Sequence, residues 1–149
     1  MTLSYNHILV AVDGSKEAEW AFKKSIGVAL RNDATLNLVN IIDTRSFAAI
    51  EAYDRSIANR AQAFAEDLLG RYKKEAEAAG LTKVNVIVEY GSPKSIIPKD
   101  LATKTEADLI ICGATGLSTV ERFLIGSVSG HIVRAAKCDV LVVRTEEHE

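Results

Sequence analysis

Near the end of the chain, Gly113, Gly116 and Gly126-Ser127 are spaced as G-x2-G-x9-G-[ST], with Ser129 two residues further on. Glycines let a main chain approach a polyphosphate with no Cβ in the way. A helix opening at Ser127 would turn its unpaired N–H groups and positive dipole end toward anionic oxygens. The hydroxyls of Ser127 and Ser129 would add donors. On a plainer reading, Gly113 and Gly116 only turn the chain and Gly126-Ser127 only caps a helix. The position of the segment, after an apolar strand and before a helix, favours the phosphate reading.

Asp13 closes the first apolar run. An aspartate there often just caps the next helix, but ligands of open α/β sheets bind beyond the carboxyl ends of the strands, at the switch point. Asp43, at the end of the second run, reads as a turn residue. Glu121 and Arg122 read as a solvated ion pair, with Arg122 reaching a γ-phosphate as the alternative. His7, His131 and His148 are not spaced with one another or with a cysteine, so a zinc-type site is not expected.

These residues need elements to position them, and the chain supplies an alternation of strand-length apolar runs and helix-length amphipathic segments. Strands are expected at Ile8–Val12, Thr35–Ile42, Val84–Tyr90, Leu109–Cys112 and Cys138–Val143. The first helix runs from about Lys16 to Leu30 with Ser15 as N-cap. Its buried stripe is Ala18, Ala21, Phe22, Ile26 and Ala29, and Trp20 and Phe22 read as packing residues. A long helix carries Ile57, Ala61, Phe64, Leu68, Tyr72, Ala76 and Ala79 on one face until Gly80 ends it. Ser92 caps a third helix with Pro93 at its first position. Pro98 then falls inside that helix, where a kink or break is expected. Ser127–Ala136 forms the fourth helix.

The 149 residues are 48% hydrophobic and 26% charged, the ordinary globular range, and are read as one domain over 1–149. No apolar run reaches the roughly 18 residues of a membrane span, and the N-terminus lacks the basic region of a signal peptide. The expectation is a cytoplasmic protein. A net charge of −2 with interspersed signs excludes a basic nucleic-acid stripe. An anionic ligand must then be held by local amides and a metal ion. Cys112 and Cys138 fall at opposite ends of neighbouring strands, too far apart for a disulfide, and read as structural thiols.

The complete G-x2-G-x9-G-[ST] pattern resembles the signature of the ATP-binding branch of the universal stress proteins. The resemblance extends along the chain: Val12-Asp13-Gly14-Ser15 is similar to the family's V-D-x-S, Asn40-Ile41-Ile42-Asp43 to its H-V-x-D, and Gly91-x-Pro93 to its G-x-P. Ala107–Gly113 resembles A-D-L-I-V-M-G, and Cys138–Val143 resembles C-P-V-L-V-V. The resemblance implies a Rossmann-like α/β fold of the adenine nucleotide α-hydrolase type: a five-stranded parallel open sheet, order 3-2-1-4-5, with helices on both faces. It implies that Ala11 lines the base pocket, that Val12 and Cys112 belong to the nucleotide site, and that Ile41 offers main-chain hydrogen bonds to adenine. Asp13 would lie beside the nucleotide or help hold Mg2+, while Gly113, Gly116, Gly126, Ser127, Val128 and Ser129 cradle ribose and phosphates. A homodimer through Val140, Leu141, Val142 and Val143 is implied as well. Two positions depart from the pattern: Asn40 replaces a common histidine, and Gly130-His131 stands where an acidic and a polar residue are usual.

Three functions follow. The first is a regulatory protein that binds ATP with Mg2+, without an evident base or arginine finger for efficient phosphoryl transfer, slow hydrolysis remaining open. A true hydrolase of the same architecture would need an S-G-G-x-D-S loop where this chain has Asp13-Gly14-Ser15-Lys16. A nucleotide-independent dimer acting through partners would not need the intact glycines.

Overall fold

In a computed structural model, residues 4–43, 55–114 and 125–144 are described. The strands are β1 (His7–Ala11), β2 (Thr35–Ile42), β3 (Val84–Tyr90), β4 (Leu109–Gly113) and β5 (Asp139–Val143). The helices are α1 (Lys16–Asn32), α2 (Arg55–Ala78), α3 (Pro93–Ser95), α4 (Ala102–Lys104) and α5 (Ser127–Ala135), with a π-helical segment, Ile96–Leu101, joining α3 to α4.

All neighbouring strands pair in parallel, in the order β3-β2-β1-β4-β5. The period of two along each strand sends alternate side chains to opposite faces, and both faces are covered. Ile8, Val10, Leu36, Leu38, Leu109 and Ile111 pack with α1 and α2 on one side. Leu9, Val39, Ile110 and Cys112 pack with Ile97, Leu101 and Ile132 on the other. Double burial is why β1 and β4 read as unbroken apolar runs.

The element limits shift by a residue or two from the sequence reading, as end fraying makes usual. β1 begins at His7, and its pairing reaches past Ala11 because the Val12 N–H bonds the Val39 carbonyl at 2.9 Å. α1 runs on to Asn32, and Asp33 stops it by taking a left-handed conformation (φ 53°) whose N–H bonds the Leu30 carbonyl. Its buried face also includes Ser25 and Val28, while Ile26 is only half-buried. Phe22 stacks on Tyr72 of α2, ring centres 4.4 Å apart.

Three expectations about the helices, at Phe64, Ala79 and Ser92, need correction. Phe64 is 53% exposed, and Ala65, Leu68, Leu69, Tyr72 and Ala76 form the buried face of α2 instead. The helix is rotated so that Phe64 lies over the β1–α1 turn, its ring tip 3.4 Å from where a Cβ of Gly14 would sit. Ala79 lies beyond the end of α2 and is exposed. Ser92 occupies the N-cap position of α3 but makes no side-chain cap bond. At Pro98 the α-helix is interrupted, as expected: the π-helical segment Ile96–Leu101 separates α3 from α4. Lacking an N–H for the Lys94 carbonyl, the proline sits in a widened turn closed by the Ala102 N–H bonding Ile97, five residues back.

Candidate functional site

The site forms where β1 and β4 end and their connections diverge to opposite faces of the sheet, the switch point of an open α/β fold. The β1–α1 turn is built by three consecutive residues. Asp13 Oδ1 accepts the Ser15 N–H at 2.9 Å, Gly14 takes φ 88°, and Ser15 Oγ accepts the Ala18 N–H at 3.1 Å as the N-cap of α1. Asp13 therefore fixes the turn, while Ser15 caps the helix.

β2 runs three residues further than β1. Val39 bonds toward β1 and Ile42 toward the β3 side, so by alternation Ile41 faces the β1 side, where that strand has already ended. The carbonyl of Val12, the next acceptor in line, is taken by Asn40 Nδ2 at 2.7 Å. The N–H and C=O of Ile41 thus have no partner among the described residues.

Opposite this edge stands the N-terminus of α5. Gly126 is its N-cap, extended (φ −64°, ψ 166°) and without a side chain to cap the first turn. The first intrahelical bond is Gly130 N–H to Gly126 carbonyl. The N–H groups of Ser127, Val128 and Ser129 consequently have no partner among the described residues. The Gly126 N–H itself bonds the Ala114 carbonyl at 2.7 Å, tying the helix start to the end of β4.

Between them lies a cavity of about 310 Å³, within the range of small-molecule sites. Ala11, Val12, Asp13, Ile41, Cys112, Gly113, Gly126, Ser127, Val128 and Ser129 all line it. Gly116, Glu121 and Arg122 lie outside the described residues. Four further lining residues, Ala18, Pro93, Ile97 and Ile132, escaped the sequence reading. Pro93 had a signal in the Gly91-x-Pro93 match, and Ile132 lies three and four residues from Ser129 and Val128 on one face of α5. Ala18 and Ile97 had none, because helix packing alone brings them there. A second cavity, of about 570 Å³, lies at the amino edge of β4 and β5 beside Pro98, Ala107 and Cys138, and holds none of the predicted site residues.

The lining is apolar toward Ile41 and Ile97 and polar at α5, and among the described lining residues Asp13 carries the one ionisable carboxylate. No group of three potential metal ligands occurs among the described residues. A magnesium ion would fit only as magnesium usually binds, through a carboxylate and the phosphates of its ligand.

Two of the expected contacts take a different form. An ideal Cβ on Gly113 would lie 2.9 Å from Glu17 backbone atoms, so this glycine is needed for α1 to pack on β4. The Ser129 hydroxyl, buried, donates to the Gly113 carbonyl, so its proton is not turned toward a ligand. Burial pushes the Cys112 thiol above its ordinary pKa, with a Ser129 hydrogen bond opposing more weakly. It is a neutral wall of the cavity. Cys112 and Cys138 are both free thiols.

The model of the Universal stress protein family matches residues 4–144. Two staphylococcal proteins named for that family, from Staphylococcus haemolyticus and Staphylococcus aureus USA300, are each 57% identical over 145 residues, 97% of this chain and 88% and 87% of theirs. Among solved structures, universal stress protein UspA from Lactobacillus plantarum superposes with a TM-score of 0.86 at 29% identity, over 96% of this chain and 100% of its own. A universal stress protein solved in complex with cAMP gives 0.73 at 29% identity, over 96% and 99%.

Proposed function

The chain belongs to the universal stress protein family, and we propose that it is a regulatory protein that binds ATP with Mg2+ in the cavity between Ile41 and α5. The observation that carries this reading is the pair of unpartnered main-chain edges facing one cavity. The N–H and C=O of Ile41 match the donor and acceptor edge of a purine. The three amides opening α5 match phosphate oxygens, with the helix dipole adding to their attraction. Gly126 and Ser127 hold the phosphates, with Val128 and Ser129 contributing amides and Gly116 the loop before them. Ala11, Val12, Cys112 and Ile97 enclose the nucleoside, and Asp13 reaches the ribose or the metal ion. The cAMP complex of a family member supports the adenine-nucleotide class.

On this reading the protein is a binder and not an efficient enzyme; the one carboxylate of the described lining, Asp13, already accepts the Ser15 N–H in the β1–α1 turn. ATP hydrolysis, where it occurs, is slow. The whole chain, 1–149, acts as one domain in the cytoplasm and pairs with a second copy through Val140, Leu141, Val142 and Val143. β5 is an edge strand in the isolated chain, and an apolar edge needs cover. Among the described residues no helix is long and apolar enough to cross a membrane.

The test is calorimetric titration of nucleotide-stripped protein with Mg-ATP, beside a Gly126→Val variant. We expect micromolar binding by the parent and none by the variant. A variant that folds normally and keeps full affinity would overturn the placement of the phosphates.

A further inference from the structure

We propose that Ser129 is the residue that sets the preference of the site for phosphorylated over unphosphorylated ligands, acting by position and not by contact through its hydroxyl. The inference rests on the nucleotide reading of the cavity.

Ser129 is the third residue of α5 and is 6% exposed. In sequence its hydroxyl invites assignment as a phosphate donor, two residues after Gly126-Ser127. In the structure that hydroxyl donates to the carbonyl of Gly113, the last residue of β4. Gly113 is itself immobilised by Glu17, whose backbone fills the space of its missing Cβ. The Ser129–Gly113 bond therefore anchors α5 to a point that α1 and the sheet hold fixed. The second tie, Gly126 N–H to Ala114 carbonyl, lies one turn earlier.

The packing of Ile132 and Val128 holds the body of α5 on the sheet, and the two ties hold its first turn, so losing one loosens the end that carries the free amides. The amides of Ser127, Val128 and Ser129 can act on an anion only if they converge on one point, since each N–H···O bond weakens steeply as it bends. The nucleoside end of the cavity is built from Ala11, Ile41 and Ile97, on other elements. Loss of the Ser129 anchor should therefore weaken phosphate binding and leave nucleoside binding in place.

The experiment is calorimetric titration of the parent, Ser129→Ala and Ser129→Thr proteins with Mg-ATP, AMP and adenosine, with thermal melting as the folding control. Ser129→Ala should lose about tenfold in affinity for ATP and AMP, the size of one well-placed hydrogen bond. Its adenosine affinity should not change, and Ser129→Thr, which keeps the hydroxyl, should match the parent. Should the alanine variant fail to fold, Ser129→Cys, somewhat larger and with a weaker donor, serves the same comparison. Equal loss for adenosine and ATP, or no loss for either, would overturn the positioning role while the nucleotide site stands. A parent that binds neither ligand would overturn both.

Discussion

Gly113 at the end of β4 lies directly against Glu17 in the first turn of α1: an ideal Cβ on the glycine would be 2.9 Å from the Glu17 carbonyl carbon, its oxygen and its Cβ. Two of those atoms are main chain, so no rotamer change relieves the contact. The first glycine of the G-x2-G-x9-G-[ST] pattern is thus demanded by helix–strand packing, whatever else it does.

Gly113→Ala should therefore destabilise the fold by about 1–3 kcal/mol, the usual cost of overpacking a well-filled interior. Urea unfolding of parent and variant measures it. An unchanged midpoint would mean that α1 moves away freely, contrary to its close packing on β4.

Gly130 presents the opposite case. It lies inside α5, and an added Cβ would meet only the end of the Arg134 side chain at 3.5 Å and Ile125 at 3.9 Å, ordinary contacts. Gly130→Ala should stabilise the protein by up to about 1 kcal/mol. Thermal and urea unfolding check the sign, and loss of stability would show a constraint on this glycine that packing does not reveal.

Asn40 replaces a histidine common at this position in the family that the chain resembles, and its amide supplies the partner of the buried-edge carbonyl of Val12 at 2.7 Å. Asn40→Ala leaves that carbonyl without its donor and should cost about 1–3 kcal/mol. Asn40→His retains a ring N–H donor and should recover part of the loss. Equal stability of all three proteins in urea would show that water takes over the bond.

Burial raises the pKa of the Cys112 thiol. Its neutral form is favoured in the folded state, so the stability it contributes is complete below the unfolded thiol's pKa and is lost as pH rises toward the folded one. Unfolding free energy should fall above about pH 9, the ordinary value from which Cys112 is raised. A Cys112→Ala protein should show a shallower fall. An identical slope would assign the alkaline loss to other groups, such as Tyr72, which burial also raises.

Much of the fold was legible because strands buried on both faces leave unbroken apolar runs. Ile8–Val12 and Leu109–Cys112 mark β1 and β4 in this way to within a residue at each end. Phe64 shows the limit: at a spacing of 3.6 residues, a helix with apolar residues on neighbouring rows can be turned by a few tens of degrees at no cost to its pattern. Here the turn buries Ala65 and Leu69 in place of Phe64. Pro98 marked a disturbed helix, but whether it kinks, breaks or widens depends on which carbonyl the next free N–H can reach, and that is set by packing of Ile97 and Leu101 on the sheet.

The sequence by itself determined which residues could meet a phosphate, because glycine spacing and a helix start are local properties. It also determined the alternation that forces a parallel sheet. Only the tertiary structure decided what each of those residues faces. Gly113 is spoken for by Glu17 and the Ser129 hydroxyl by Gly113, contacts between residues 96 and 16 positions apart. Ile41 offers its main chain because β1 stops short of β2. The physical reason is the same in each case: which atoms remain unpaired depends on where neighbouring elements end, and no local pattern records that.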